Sequence, residues 1–444
     1  MTVGGSQYSE EPSPAAFGPA SGPAFWAARA LVGGACLERV RIVADAAGLV
    51  SAITPGAAAA PGDTRFVLIA AGLGNGHSHA FHWRLRGRTN AGGGDFWRWR
   101  ETMYREAASL TPTLYQGLAT GVFGEMLAGG YTAVGEFHYL HHRRSGAPYD
   151  DPPHAMELAL ARAATAVGIR LVLLDTCYLA GGIGQPLEPA QQRFSDGDAA
   201  AWLRRHAGLQ AALAADAAVA AGGLVTLGAA VHSVRAVPRA ALDVTAGGLA
   251  PDEPLHVHLS EQPAENEATQ QAYGLTPAEL LDAHGLLAPR TTVVHATHLT
   301  SDDVALLGQR GVSAVFCPTT EADLGDGIGP AVALDRAGVR LAVGSDQNVA
   351  LDGFGELRWL EYGQRLAAGR RGLFTPAQLW GFGQANGYGA LGLTPPLSLG
   401  GPCDFVELDP HTSNTRGARL EELVLVAGPG DIGRVVVGGQ VRRP

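Results

Sequence analysis

The chain has 444 residues and a formal net charge of −10, which argues against nucleic acid or an anionic membrane surface as its main partner. It contains no lysine, so all 32 basic residues are arginines, and this excludes Schiff-base catalysis, pyridoxal phosphate attachment, a Walker lysine and a carbamylated lysine between two metals. The four cysteines have no CxxC spacing, which indicates neither a disulfide framework nor a zinc ribbon.

The beginning of the chain predicts a flexible tail and no targeting segment. Residues 1–24 are rich in Gly, Pro, Ser and Ala, and we expect them to be poorly ordered. The first 28 residues carry no Lys or Arg, so a secretory n-region is missing, and no stretch of the chain is a convincing membrane span. We therefore expect a soluble cytoplasmic protein.

Both ends of the chain predict short β-strands. The predicted strands are residues 39–43 and 50–53 near the start and residues 405–408, 423–426 and 435–437 near the end. We expect these ends to meet in a small β-sandwich domain, made of residues 25–66 and 397–444. Residues 67–396 then form a second, larger domain.

Eight apolar runs in the middle of the chain are typical of buried parallel strands separated by helices. The runs are residues 66–71, 132–137, 170–175, 225–231, 255–259, 292–295, 313–317 and 340–343. Their number matches an α/β fold of the TIM type, a (β/α)8 barrel.

Polar side chains stand where these runs end. Active sites of such barrels lie at the carboxyl ends of the strands, so we expect the side chains to share one site. In order of the runs they are His77 and His79, Glu136 and His138, Asp175, His232, His258 and Glu261, His295, Thr319 with Thr320 and Glu321, and Asp346.

Four of these residues predict a site for a single metal ion. Side chains alternate along an extended chain, so His77 and His79 present their imidazoles on the same side. His258 would add a third nitrogen from across the barrel, and Asp346 a carboxylate. Three nitrogens and one oxygen favour zinc, with iron as a substitute, over magnesium or calcium.

Two of the assignments have structural alternatives. His256 precedes His258 by two residues, and we expect only one of them to reach the metal. His258 is preferred because Glu261 follows three residues later, a spacing that lets the carboxylate turn toward a water on the metal. Asp346 could instead be a helix N-cap. The four residues together are much harder to explain without a metal than any one alone.

Longer stretches carry a family resemblance that covers about residues 72–366. The most specific are Trp-Arg-Glu-Thr-Met-Tyr at 99–104 and Leu-Gly-Asp-Gly at 324–327, and others lie at 75–81, 136–142, 294–298, 317–327 and 356–365. These stretches resemble the amidohydrolase superfamily and, within it, the formimidoylglutamate deiminase family. The resemblance implies a homodimeric enzyme of histidine degradation, with one zinc ion per subunit, which hydrolyses N-formimino-L-glutamate to N-formyl-L-glutamate and ammonia.

The resemblance also implies a role for each candidate residue. The metal would be bound by His77, His79, His258 and Asp346, and Asp346 would also accept a proton. Glu261 would carry protons to the departing nitrogen, and His295 would position the water. Arg100 and Arg235 would hold the two substrate carboxylates, and further substrate contacts would come from Tyr139, His232 and His82. Arginine suits a small dicarboxylate amidine because its guanidinium binds carboxylates through two parallel hydrogen bonds. Without the resemblance, the two arginines would be interpreted as surface ion pairs, and Tyr139 and His232 as core residues.

Two positions depart from the family pattern. His82 stands where relatives commonly have Gln, and Gln347-Asn348-Val349 stands where they commonly have Ser-His-Val. One alternative is therefore another deaminase or chlorohydrolase of the superfamily, acting on a guanine, cytosine or triazine ring that lacks two carboxylates. A catalytically inactive barrel that serves as a binding protein is the alternative from a different class.

Overall fold

The computed structural model describes residues 22–88 and 96–442; of the predicted tail, residues 1–21 lie outside these ranges. The described strands are β1 (Ala24–Val32), β2 (Ala35–Ala44), β3 (Val50–Thr54), β4 (Thr64–Ala71), β5 (Leu73–Ser78), β6 (Tyr131–His138), β7 (Arg170–Cys177), β8 (Val225–Val231), β9 (Leu255–Leu259), β10 (Thr291–His295), β11 (Ser313–Phe316), β12 (Arg340–Val343), β13 (Phe405–Leu408), β14 (Ile432–Val437) and β15 (Gln440–Arg442).

The described α-helices are α1 (Phe96–Ser109), α2 (Pro112–Ala128), α3 (Ala155–Val167), α4 (Ala199–Ala215), α5 (Ala217–Gly222), α6 (Arg239–Gly248), α7 (Pro263–Tyr273), α8 (Pro277–Ala283), α9 (Ser301–Arg310), α10 (Pro318–Leu324), α11 (Ala331–Arg336), α12 (Gly353–Ala368), α13 (Pro376–Gly383) and α14 (Ala385–Ala390). Short 3-10 helices cover Ala80–Leu85, Pro189–Phe194, Leu420–Leu425 and Pro429–Asp431. In the described part of the chain, none of the helices combines the length and the hydropathy of a bilayer-spanning segment.

Strands β5 to β12 form a parallel sheet in which neighbours in sequence are neighbours in space. Most of their residues are buried, as in strands that helices cover on the outer face. The sheet closes where β5 meets the end of β12: Ser78 pairs with Asp346, and the backbone N–H of His79 donates to the carbonyl of Asp346 over 2.9 Å. The predicted TIM-type barrel is therefore confirmed. We call this junction the seam of the barrel.

The two ends of the chain form a second sheet, in the order β15-β14-β13-β4-β1-β2-β3. It is mixed, because β1 is parallel to β4 whereas its other neighbour, β2, is antiparallel. Its core contains Phe25, Phe66 and Phe405, and the Phe405 ring stands 5.2 Å from each of the other two, edge to face. The predicted β-structure from both ends of the chain is confirmed as a separate mixed sheet, and the domain bounds 25–66 and 397–444 stay a prediction.

The prediction of the first barrel strand is wrong, because the predicted run belongs to the preceding strand, which lies in the mixed sheet. The run at 66–71 lies in β4, which pairs with β1 and β13 of the mixed sheet. The first barrel strand is β5, which begins after Gly72 and is buried throughout. Its sequence, Leu-Gly-Asn-Gly-His-Ser, has only one large apolar side chain, so this segment does not form an apolar run that would predict a strand. We propose Gly72 as the boundary between the two domains.

A second correction concerns the run at 423–426. It lies largely in the 3-10 helix Leu420–Leu425 and not in a strand. Leu423 and Val424 are nevertheless fully buried, because a helical turn can also bury neighbouring apolar residues against the rest of the protein. A short apolar run alone does not distinguish the two structures.

A buried charge cluster connects β7 to the helices beside it. The guanidinium of Arg205, on α4, lies 2.8 Å from Asp175, 2.9 Å from Asp196 and 3.1 Å from Glu157. Next to it, His206 contacts the second oxygen of Asp175 over 3.0 Å. Asp175, predicted at a strand end, therefore belongs to this cluster and anchors α4 to the barrel.

The charge of His206 should make the stability of the protein depend on pH. Burial lowers the pKa of His206, but the hydrogen bonds that its ring donates to Asp175 and Glu253 outweigh burial and raise it to about 9. Since the ordinary value is about 6.5, this stabilisation is complete below pH 6.5 and is lost as the pH rises through 9. We expect the free energy of unfolding to contain a contribution of roughly 3 kcal/mol that disappears over this range.

Urea unfolding at pH 6.5 and pH 9 tests this expectation. The wild-type protein should lose more stability over that interval than His206→Gln, which cannot take up the proton. Equal losses in the two proteins would show that His206 does not bind a proton more tightly in the folded state.

Candidate active site

A cavity of about 470 Å³ opens at the carboxyl ends of the barrel strands. Ten of the eleven residues that were given a metal-binding, catalytic or substrate-binding role line it: His79, His82, Arg100, Tyr139, His232, Arg235, His258, Glu261, His295 and Asp346. The eleventh, His77, is adjacent, since its Nε2 atom lies 3.1 Å from Nε2 of His258. Residues that are up to 269 positions apart in sequence thus meet at one place.

The second ring nitrogens of two histidines fix how these rings face the cavity. Nδ1 of His79 lies 2.8 Å from the carbonyl of Phe137, and Nδ1 of His258 lies 2.9 Å from the carbonyl of His232. A carbonyl only accepts hydrogen bonds, so each Nδ1 carries the proton and each Nε2 keeps a free electron pair. Backbone carbonyls orient metal-binding histidines in this way.

All three imidazoles are held neutral. Burial lowers the pKa of His79 to about 3 and also places the pKa values of His77 and His258 well below the ordinary range; the neighbouring histidines lower them further. A neutral imidazole is the form that binds a metal ion. The cluster is therefore in the protonation state that metal binding requires.

The distances between the donor atoms suit one zinc ion. Two ligand atoms that each lie about 2.0 Å from zinc stand roughly 3 to 3.5 Å apart. Nε2 of His77 is 3.1 Å from Nε2 of His258, and Oδ1 of Asp346 is 3.5 Å from Nε2 of His77 and 3.6 Å from Nε2 of His79. These residues therefore fit a single zinc ion.

The backbone around Asp346 is shaped to bring its carboxylate to the histidines. Gly344 lies so close to β5 that a Cβ atom there would stand 2.8 Å from the backbone N and O atoms of His77. Asp346 itself has a positive φ of 42°, and His295, at the end of β10, has one of 68°. Such left-handed backbone is unfavourable for these residue types and is concentrated at functional sites.

A chain of amides and hydroxyls joins the two segments that carry ligands. Asn75 donates to Oγ of Ser345 over 2.7 Å, and Ser345 donates to Oδ1 of Asn348 over 2.7 Å. Nδ2 of Asn348 then donates to the carbonyl of His79 over 3.0 Å. The amide of Asn348 therefore ties the end of β12 to the end of β5.

Glu261 is held by a cation, the guanidinium of Arg235. Its Oε2 atom accepts from Arg235 over 3.0 Å, and Nε of Arg235 lies 3.5 Å from Glu265, one helical turn further on. The other oxygen of Glu261 is 3.9 Å from Nε2 of His295. One predicted carboxylate-binding arginine and the predicted proton carrier are thus already paired.

His295 stands among carboxylates. Its Nδ1 atom lies 3.4 Å from Glu321, whose carboxylate is fixed by the backbone N–H of Cys317. Burial lowers the pKa of His295, but Glu261 and Glu321 outweigh burial and raise it to about 10. His295 can therefore donate a hydrogen bond into the cavity.

The remaining predicted contacts lie on one wall of the cavity. Nε2 of His82 is 3.2 Å from the hydroxyl of Tyr139, and the rings of Tyr139 and His232 meet edge to face at 5.5 Å. Burial and neighbouring cations or histidines hold the pKa values of His82 and His232 well below the ordinary range, so both rings are neutral.

Some polar residues at strand ends do not reach the cavity. Glu136 accepts from the backbone N–H of Ala80 over 2.6 Å, and burial raises its pKa to about 8. Thr319 contacts Glu356, and Thr320 donates to the carbonyl of Ser345. These residues support the segments that carry the site.

His138, His141 and Glu157 form a second group with the spacing of metal ligands. However, Arg205 lies 3.1 Å from Glu157, and one ring nitrogen of His141 is 2.9 Å from the carbonyl of Thr176, to which it has to donate. A cation already faces this carboxylate. We therefore assign the group to the buried charge cluster.

Sequence reasoning missed several residues that line the cavity, among them Met103, Tyr104, Tyr178, Gln262 and Glu265. Met103 and Tyr104 lie in the specific stretch at 99–104, and Glu265 follows Glu261 at helical spacing, so both patterns contained a signal. Tyr178 follows β7 with no motif around it and could not have been identified.

Comparisons with known proteins give consistent results. The amidohydrolase family profile matches residues 68–442. The chain is 38% identical over 434 residues to formimidoylglutamate deiminase of Pseudomonas aeruginosa, covering 94% of each protein. A solved amidohydrolase from Brucella melitensis superposes with a TM-score of 0.87 at 33% identity, covering 95% of this chain and 96% of that one. An adenosine deaminase from Xanthomonas campestris with bound zinc superposes with a TM-score of 0.78 at 25% identity, covering 95% and 92%.

Proposed function

Since this chain belongs to the amidohydrolase family and is a hydrolase of carbon–nitrogen bonds, we propose that it hydrolyses N-formimino-L-glutamate to N-formyl-L-glutamate and ammonia, a step of histidine degradation. The observation that carries the proposal is the placement of Arg100 and Arg235 on the cavity that also contains the histidine cluster. Guanine, cytosine and triazine rings have no carboxylates for two arginines to bind.

We propose one zinc ion on His77, His79, His258 and Asp346, with iron as a possible substitute. When bound, zinc would lower the pKa of a coordinated water from about 15.7 toward 7. Asp346 would accept a proton from the attacking water. The zinc-containing Xanthomonas deaminase supports this assignment, as do the donor distances within the cluster.

Glu261 would deliver a proton to the formimino nitrogen, which is a poor leaving group until it is protonated. His295 would hold the water by donating a hydrogen bond to it from Nε2, and Glu321, 3.4 Å from Nδ1, supplies the acceptor that orients the ring. The carbon–nitrogen double bond is thereby replaced by the carbonyl of the formyl group, and the protonated nitrogen leaves as ammonia.

The experiment that tests the proposal is an ammonia-release assay on N-formimino-L-glutamate, guanine and cytosine with zinc-loaded protein. We expect kcat/KM for the formimino substrate to exceed that for either base by several orders of magnitude. Turnover of a base alone would contradict the proposal. A protein that binds no zinc and releases no ammonia after reconstitution would be the inactive barrel.

The two arginines should give different kinetic signatures. Removing a charge-assisted hydrogen-bond pair costs about 1.5–3 kcal/mol, so Arg100→Ala should raise KM for the formimino substrate about 10- to 100-fold with little change in kcat. Arg235→Ala should raise KM and also lower kcat, because Glu261 loses its partner at 3.0 Å.

Steady-state kinetics of these two variants check the prediction, with Arg310→Ala as the matched control. Arg310 is exposed, pairs with Asp282 and lies outside the cavity, so its removal should change neither constant. An unchanged KM in both cavity variants would remove the argument for a dicarboxylate substrate.

A further inference from the structure

The orientation of one buried amide determines what lines the end of the cavity near Arg100. Gln191 has no exposed surface, and its Oε1 atom lies 2.7 Å from the backbone N–H of Glu188. A backbone N–H only donates, so the atom that faces it is the oxygen and the amide nitrogen faces the other way. Nε2 lies 3.0 Å from the hydroxyl of Tyr104 and 2.7 Å from that of Tyr178.

Both N–H groups of Gln191 therefore donate to tyrosine oxygens, and this fixes the direction of the tyrosine protons. Tyr178 accepts one hydrogen bond, and Tyr104 accepts a second one from Nε of Arg100 over 2.6 Å. Among the described residues, no group accepts a hydrogen bond from either hydroxyl. Because both tyrosines line the cavity, their protons are left for a ligand.

We propose that Tyr104 and Tyr178 donate hydrogen bonds to the same substrate carboxylate that Arg100 binds, and that Gln191 is the positioning residue that turns both hydroxyls toward it. This inference rests on the proposed function, because it assigns two further residues to the recognition of the dicarboxylate. One cation and two neutral O–H donors supply three hydrogen-bonding groups to one carboxylate, which has about four acceptor positions.

The charge at this end of the cavity supports the assignment. Burial raises the pKa of Tyr178 and of Tyr104, so both hydroxyls keep their protons at physiological pH. The carboxylate of Glu188 lies 3.4 Å from Arg100, but its side chain is about half exposed, so the arginine can exchange this partner for a ligand.

The test compares Tyr104→Phe/Tyr178→Phe with the wild type on three substrates: N-formimino-L-glutamate and the N-formimino derivatives of 4-aminobutyrate and L-2-aminobutyrate, each of which lacks one carboxylate. We expect the double variant to raise KM for N-formimino-L-glutamate about 10- to 100-fold with kcat nearly unchanged. For the derivative that lacks the carboxylate bound by Arg100, KM should change less than about twofold. A loss of equal size on both derivatives, or no loss on any substrate, would overturn the proposal.

Gln191→Glu tests the positioning role. The carboxylate has the same shape and can still accept from Glu188, but it has no N–H to donate, so both hydroxyls have to turn toward it. We expect KM to rise as in the double variant while the melting temperature stays within a few degrees. Tyr273→Phe, at a tyrosine that contacts Arg239 outside the cavity, is the matched control and should leave KM unchanged.

Calorimetric binding of glutarate to the zinc-loaded proteins separates this inference from the proposed function. Wild-type protein that does not hydrolyse N-formimino-L-glutamate refutes the proposed function. Even then, weaker glutarate binding by the double variant, at least about fivefold, would support the carboxylate site. Equal binding by the two proteins, or no binding by either, would overturn it.

Discussion

Replacement of Asp346 by Ala is expected to remove the metal and to lower kcat for ammonia release by more than about 10⁴-fold. The carboxylate faces two of the three imidazoles at 3.5 and 3.6 Å, and it is the proposed acceptor for the proton of the water. Loss of Asp346 would therefore remove a ligand and a base together. Metal analysis should show zinc falling from one equivalent per chain to a small fraction of that.

Two controls make the result specific. Dialysis of the wild type against a chelator should abolish ammonia release, and one equivalent of zinc should restore it. Glu407→Gln, in the mixed sheet and paired with Arg434, removes a carboxylate far from the cavity and should change neither zinc content nor kcat. An Asp346→Ala protein that keeps both zinc and activity would show that another residue completes the site.

Glu261→Gln should keep the metal and lose the reaction. General acid–base groups contribute about 10² to 10⁴ in rate, and we expect a fall of that size in kcat with zinc content unchanged. The amide has the shape of the carboxylate but cannot carry a proton to the leaving nitrogen. The substitution also weakens the hydrogen bond between this side chain and Arg235, so KM should rise by a few fold.

Glu265→Gln is the matched control for this prediction. Glu265 also contacts Arg235, one helical turn beyond Glu261, but its nearest oxygen is 3.5 Å from the guanidinium. We expect kcat to fall less than about tenfold in this variant. Similar falls in both variants would mean that the carboxylates act only through Arg235, and the proton-carrying role of Glu261 would be lost.

The placement of the candidate site could be predicted from sequence because it depends on local patterns. His77 and His79 are separated by one residue in an extended segment, and the other candidate ligands stand immediately after apolar strands. A parallel barrel brings all strand ends to one face, so the order of strands was enough to place His258 and Asp346 near them. The homodimer and the cytoplasmic location stay predictions.

The features of the fold and of the candidate site that could not be predicted depend on contacts between segments that are distant in sequence. Strand β5 is buried because other strands surround it, and nothing in its own composition shows this. Gln191 and Tyr104 are 87 residues apart, and only the folded chain shows that one orients the other. Several carboxylates could pair with Arg235, and the sequence alone does not show that Glu261 does.

The seam of the barrel has a consequence for the separability of the protein into pieces. A cut in the exposed turn at 250–252 would leave His77 and His79 on a fragment with β1 to β8, and His258 and Asp346 on a fragment with β9 to β15. Each of the two sheets would be divided between the fragments. Neither half would carry all four proposed zinc ligands, so hydrolysis by a mixture of the two would report that the halves had recombined. Ammonia release would then measure the reassembly of the proposed metal site.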